Sequence, residues 1–118
     1  MPGRRRCCCE GPTCSPCSIP THDLTGTFVD VPLPPETITL TYYPTGGGSY
    51  PIWQGITADG SLLFELQCST GTMDLGITDT SDGSPWVGGF AYIASWTCTP
   101  FHVHFGIGVG SSTFDADE

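Results

Sequence analysis

Along FHVHFGIGV, apolar positions alternate with polar or small ones. Phe101, Val103, Phe105, Ile107 and Val109 fall on one side of an extended strand, His102, His104, Gly106 and Gly108 on the other. The first row predicts a core-facing surface and the second a solvent or interface face. The same period of two runs through SLLFELQC, with Leu62, Phe64, Leu66 and Cys68 inward and Glu65 and Gln67 outward, and through TMDLGIT, with Met73, Leu75 and Ile77 inward. ETITLTYY offers Ile38, Leu40 and Tyr42 to a core and a ladder of Thr37, Thr39 and Thr41 to the outside, a β-branched row that suits an exposed sheet face. FAYIASWTC places Phe90, Tyr92, Ala94, Trp96 and Cys98 on one side. With LTGTFVDV and YPIWQGIT the set comes to about seven strands, and no segment carries a 3.6-residue period.

Turn signals separate these segments at short intervals: PLPPE, PTGGGS, TADGS, STG, TSDGSP and TCTP, within a chain holding 16 Gly and 11 Pro. Short alternating strands between such turns predict an all-β fold, specifically a single antiparallel β-sandwich of jelly-roll or Ig-like type. The organisation expected is a Cys-rich N-terminal arm over 1–20, the sandwich domain over 21–114 and an acidic C-terminal tail over 115–118. DTSDGSPWVGG is long for a hairpin. Its Trp86 is a candidate partner contact, set against the plainer expectation of a ring folded back over the end of the sandwich.

Charge narrows the range of partners. The chain of 118 residues has a formal net charge of −9, with no lysine and only Arg4, Arg5 and Arg6 as fixed cations. Nucleic-acid affinity comes largely from clustered Lys and Arg, so the body of the protein is not expected to bind DNA or RNA. Only the arm keeps that option. After Arg6 the sequence reads CCCEGPTCSPC, polar and Pro-rich where a secretory leader would be apolar, and no run of 18 or more apolar residues predicts a membrane span. The expectation is synthesis in a cytoplasm, where disulfides do not normally persist.

Seven cysteines are the main candidate chemistry: Cys7, Cys8, Cys9, Cys14, Cys17, Cys68 and Cys98. Cys14-Ser-Pro-Cys17 is one C-x-x-C knuckle and supplies half of a tetrahedral zinc site, which the CCC run, Cys68 or Cys98 could complete. Disulfides compete with this reading, because Cys68 and Cys98 both take the inward parity near strand ends and could pair with each other or receive the arm. Zinc as a cofactor and disulfide bonding therefore both stay open, beside a third reading in which Cys68 and Cys98 are simply small buried hydrophobes. Redox catalysis is disfavoured, since no helix follows Cys14 and Cys17 to depress a thiol pKa.

His102 and His104 face the same way two residues apart, a weak candidate metal pair if a third ligand converges on it. The ordinary alternative is the polar face of a half-exposed sheet, favoured here because no acidic partner lies nearby in sequence. Asp79 and Asp82 in DTSDG lack the spacing of a calcium loop and read as turn formers. With no nucleophile elbow, phosphate-cradling loop or paired carboxylates, no enzyme activity is expected.

Three blocks form a further pattern: Cys17-Ser-Ile-Pro20 leading into the first strand, Phe64-Glu-Leu-Gln-Cys68 followed by Met73-Asp-Leu75, and Trp96-Thr-Cys98-Thr-Pro100-Phe101 leading into the last. This pattern resembles small Cys-rich β-proteins encoded among the structural genes of tailed bacteriophages and prophages. The resemblance implies a virion component, a capsid decoration or tail-associated protein, with no catalytic residues to carry over. The expected partners are further copies of the chain or a major virion protein, with no membrane. Two other classes remain as alternatives: an extracellular or surface carbohydrate-binding module presenting Trp53, Trp86, Tyr42 or Tyr43, and a zinc-stabilised adaptor.

Overall fold

The computed structural model describes residues 21–46, 48, 50–69, 72–86, 91–98, 100–108 and 112–118, without the side chains of Ser69, Thr72 and Cys98. The expected arm over 1–20, with its five cysteines and three arginines, lies outside the described residues.

Eight strands follow one another: β1 (Leu24–Val29), β2 (Glu36–Tyr43), β3 (Ile52–Ile56), β4 (Leu62–Ser69), β5 (Thr72–Asp79), β6 (Ala91–Cys98), β7 (Phe101–Ile107) and β8 (Ser112–Asp117). All pair antiparallel in one sheet of order β5-β4-β3-β2-β1-β8-β7-β6, with no helix among the described residues. Each strand lies beside its neighbours in sequence, except that β1 pairs with β8 while β5 and β6 form the two edges. That is an up-and-down order without the crossing connection of a Greek key, so the jelly-roll or Ig-like topology expected from strand spacing is not the one adopted. The sheet curls until β5 and β6 come close, giving a nearly closed barrel. Turn spacing gives about seven strands where eight form, and it does not say which edges meet.

The period-two reading holds where the sheet is regular. Ile38, Leu40, Phe64, Leu66, Met73, Leu75, Phe101, Val103, Phe105 and Ile107 are all buried, and Tyr42, Leu62, Cys68 and Ile77 pack against them. Phe64 of β4 stacks on Phe114 of β8 with ring centroids 4.7 Å apart and planes at 12°, and Phe28 of β1 leans on Phe64 at 4.9 Å. Burying such rings is worth roughly 1.5–3 kcal/mol each, so this contact between opposite walls is a main source of closure.

Glycine permits two close approaches. A Cβ on Gly26 would fall 2.4 Å from the ring of Phe114, and one on Gly55 would fall 2.5 Å from the Thr39 carbonyl oxygen. The second marks the place where β2 leaves β3: their pairing covers only Thr41–Tyr43 against Ile52–Gln54, while the first half of β2 runs beside β1.

Two expectations are corrected. FAYIASWTC does not keep one phase, because the register of β6 on β7 shifts between Ile93 and Ser95. Ala91, Ile93 and Trp96 pack towards the core, while Tyr92 and Ala94 are exposed. The extra residue of a bulge flips the parity on either side of it. Tyr92 gains a role from this, covering its cross-strand partner Gly106, where a Cβ would meet the phenol ring at 2.5 Å.

The acidic tail at 115–118 is instead mostly strand. Phe114 and Ala116 are fully buried, and Asp115 and Asp117 point outward on β8. Phe-Asp-Ala-Asp is an alternating pattern too short to stand out, and pairing on both sides, with β1 and β7, is what holds it extended.

Candidate functional site

Antiparallel pairing sends β1, β3, β5 and β7 one way and the other four back. One end of the barrel therefore holds the starts of β1, β5 and β7 and the finishes of β4, β6 and β8. Cys68 faces Met73 at the β4–β5 turn, and Cys98 faces Phe101 at the β6–β7 turn. The chain also enters β1 at this end, through Thr21, His22 and Asp23. Here the carbonyl of His22 accepts a 3.0 Å bond from Nε1–H of Trp53, and Asp23 Oδ1 accepts one from the Tyr42 amide at 2.8 Å. These bonds tie the entering segment to β2 and β3.

Cys68 is disulfide-bonded. Its partner falls outside the described side chains, as do the thiols of Cys7, Cys8, Cys9, Cys14, Cys17 and Cys98. A disulfide sulfur is not a thiolate, so in this state Cys68 is withdrawn from the candidate zinc ligands. Among the described residues, no group of three or more His, Cys, Asp and Glu side chains is arranged to hold a metal ion.

The second polar cluster lies on the outer face of β7 and β8. The register sets His102 opposite Asp117 and His104 opposite Asp115. Sequence distance hid these partners: no acid is near in the chain, yet the β7–β8 hairpin brings two. His102 bonds Asp117 through Nδ1 and approaches Asp115 Oδ1 through Nε2 at 3.1 Å, while His104 Nδ1 lies 2.6 Å from the same Asp115 oxygen. The hydrogen bond to Asp117, helped by the charges of Asp117 and Asp115, raises the His102 pKa above its ordinary value against a smaller desolvation effect. With no Lys or Arg after Arg6 in the chain, imidazoles are the only countercharges that residues 7–118 can offer their carboxylates.

The remaining candidates separate by burial. Trp53 is 1 % exposed and Tyr42 packs on it at 5.1 Å, so neither forms the open sugar platform considered above. Trp86 is half-buried and meets Phe28 edge-on at 5.7 Å and 81°, with its amide bonded to the Ile77 carbonyl at 2.9 Å. It is thus folded back over the barrel, covering the β5 side of the seam. Tyr43 alone of the four aromatics is open, beside a groove over β2 and β3 that Thr39, Thr41, Gln54, Ile56 and Leu63 line.

No protein-family model, curated protein or solved structure matches the chain. The architecture and the two clusters are therefore the whole ground for a functional reading. No described helix is long and apolar enough to cross a membrane.

Proposed function

We propose that the protein is a non-enzymatic assembly component, a virion part of capsid-decorating or tail-associated type, in which the Cys-rich arm staples one barrel to the next. The observation that carries this reading is the convergence at one end of the barrel of the Cys68 turn, the Cys98 turn and the entry point of the arm. A staple needs its reactive groups at one place on a rigid body, and that end supplies such a place. The facing walls, joined through Phe64 and Phe114, act as the two layers of a flattened sandwich that carries that end.

Two further features fit repetitive packing. The Thr37, Thr39 and Thr41 ladder gives an exposed, uncharged face, and the seam where β5 and β6 approach without pairing is an unsealed edge that a neighbouring copy can cover. The protein is made in a bacterial host cytoplasm and acts in the particle, where oxidation after release would set the disulfides. The partner is a further copy of the chain or a major shell or tube protein, and zinc is not required for the arm to act.

Light scattering on size-separated full-length chain tests this directly, compared with a variant carrying Ser at Cys7, Cys8, Cys9, Cys14 and Cys17. Assemblies are expected from the first and monomers from the second. Monomers from both, under oxidising conditions and at high concentration, overturn the staple.

The groove beside Tyr43 favours a second reading, a carbohydrate-binding module with one aromatic and several hydroxyls on its rim. A glycan array discriminates: binding that Tyr43→Ala abolishes supports it, and no binding removes it.

A further inference from the structure

A neutral imidazole has one N–H and one lone pair, so it cannot donate from both ring nitrogens. His102 has a carboxylate oxygen at each: Asp117 at Nδ1 and Asp115 at Nε2. Only the imidazolium serves both, hydrogen-bonded to Asp117 through Nδ1 and paired by charge with Asp115 at Nε2. His104 makes a single contact, Nδ1 to Asp115 Oδ1, which the neutral ring with its proton on Nδ1 serves.

Among the described residues, the strands that flank the quartet add no other charge. On β6 the residues opposite are Thr97 for His102 and Ser95 for His104; beyond β8, on β1, they are Thr25 for Asp117 and Thr27 for Asp115. Glu118, next along the chain, is already engaged, its Oε1 accepting from the Phe101 amide at 3.0 Å. Among the described residues, the proton on His102 is therefore the positive charge set against the two carboxylates, leaving the quartet at one negative.

We propose that His102, Asp115 and Asp117, with His104, form a proton-operated clasp that fastens the end of β8 to the start of β7, beside the Cys98 turn. When His102 loses its proton to solvent, one ring nitrogen presents a lone pair to a carboxylate oxygen at contact distance, and the ring must leave one acid. Asp115 keeps His104. Asp117 keeps no other described imidazole, and its strand end is then held by the backbone pairing of Asp117 with His102 and by the bonds of Glu118 to Phe101. Loss of the proton changes the formal charge of the quartet from one negative to two, leaving the carboxylates of Asp115 and Asp117, two residues apart on β8, to repel each other along the strand with no described cation between them. The consequence is a face and a strand end that are closed and nearly neutral on the acid side, and open and negative on the alkaline side. Under the assembly reading this would gate access to the cysteine-bearing end, but the clasp itself stands without that reading.

The test is nuclear magnetic resonance on labelled full-length chain, following the His102 ring and the amides of Phe101, His102, Asp117 and Glu118 through a pH titration. His102 should titrate above the ordinary histidine value of about 6.5. Asp117→Asn should move its midpoint down by about half a unit or more. Amide exchange at those positions, after correction for intrinsic base catalysis, should quicken severalfold across the same midpoint in the parent chain and show no step in His102→Gln. A midpoint at or below 6.5 that Asp117→Asn leaves unmoved overturns the clasp. So does an exchange step that survives His102→Gln, which can be read even if the Asp117 variant fails to fold. Oligomeric state is not a readout here, so failure of the clasp and failure of the staple are distinguishable.

Discussion

Gly26→Ala is the sharpest probe of how the barrel closes. Gly26 sits in the middle of β1, paired with Ile38 on one side and Ala116 on the other, so its backbone is fixed by two neighbours. A Cβ there would lie 2.4 Å from Cζ of Phe114, 2.9 Å from Cε1 and 3.4 Å from Cδ1 of Leu40. Phe114 is fully buried and stacked on Phe64, so the ring cannot withdraw without loosening the contact between opposite walls.

Overpacking of this kind costs ~1–3 kcal/mol. With a urea slope of ~1–3 kcal/mol per molar for a small domain, the unfolding midpoint should fall by about 1 M. Phe114→Leu removes the ring edge that the new methyl meets, so Gly26→Ala should cost less in that background, with a coupling of ~0.5–3 kcal/mol. Urea unfolding of the parent, both single variants and the double variant, followed by tryptophan fluorescence, measures the cycle. A Gly26→Ala change within ~0.5 kcal/mol of the parent, or a cost unchanged by Phe114→Leu, would refute the placement of Phe114 over Gly26 and with it the docking of β8 on β1.

Three other outcomes follow from the same structure. Trp53→Phe keeps an aromatic in the core but leaves the His22 carbonyl without its indole donor; thermal unfolding should show a loss of ~0.5–1.5 kcal/mol for the bond plus a term for lost volume, and an unchanged melting temperature would contradict the anchor. Trp86→Ala should destabilise by roughly 1–2 kcal/mol in urea, below the range for fully buried aromatics because the ring is half-exposed; no change would mean that the ring does not rest on Phe28. Asp59 accepts bonds from the Ser61 hydroxyl, the Ser61 amide and the Thr57 hydroxyl, which lower its pKa to about 2. Since the shift is downward, its contribution is present above the unfolded value near 3.8 and is lost as pH falls through about 2. A carboxyl-carbon titration should find that low midpoint, and Ser61→Ala should raise it; a midpoint near 3.8 in the parent chain would contradict the turn geometry.

Much of the fold was legible in the sequence because a two-residue period carries burial directly. On β2, β4, β5 and β7 the inward rows read from the chain are the rows that pack inside. The reading stopped where burial depends on a partner. The register shift after Ile93 inverts β6 without any glycine or proline to mark it. β8 looks like a polar tail because its two inward residues, Phe114 and Ala116, are flanked by acids, and only pairing with β1 and β7 makes it a strand. Missing β8 also hid Asp115 and Asp117 from His102 and His104, so the H-x-H pair looked isolated. Strand order was out of reach for a similar reason: turn spacing is much the same in a Greek key and in an up-and-down barrel. The cysteines were visible as a set, while the placing of the Cys68 and Cys98 turns at one end follows from strand direction, which eight antiparallel strands fix.

The central claim is that the cysteine-bearing end joins one barrel to another. Its most direct test mixes unlabelled and ¹⁵N-labelled full-length chains in reduced form, lets them oxidise together, and maps disulfide-linked peptides by mass spectrometry under non-reducing conditions. The account predicts linked peptides of mixed isotope in which a cysteine of the arm from one copy is joined to a cysteine of another. Linked peptides of a single isotope only, from a chain that sediments as a monomer, would contradict it.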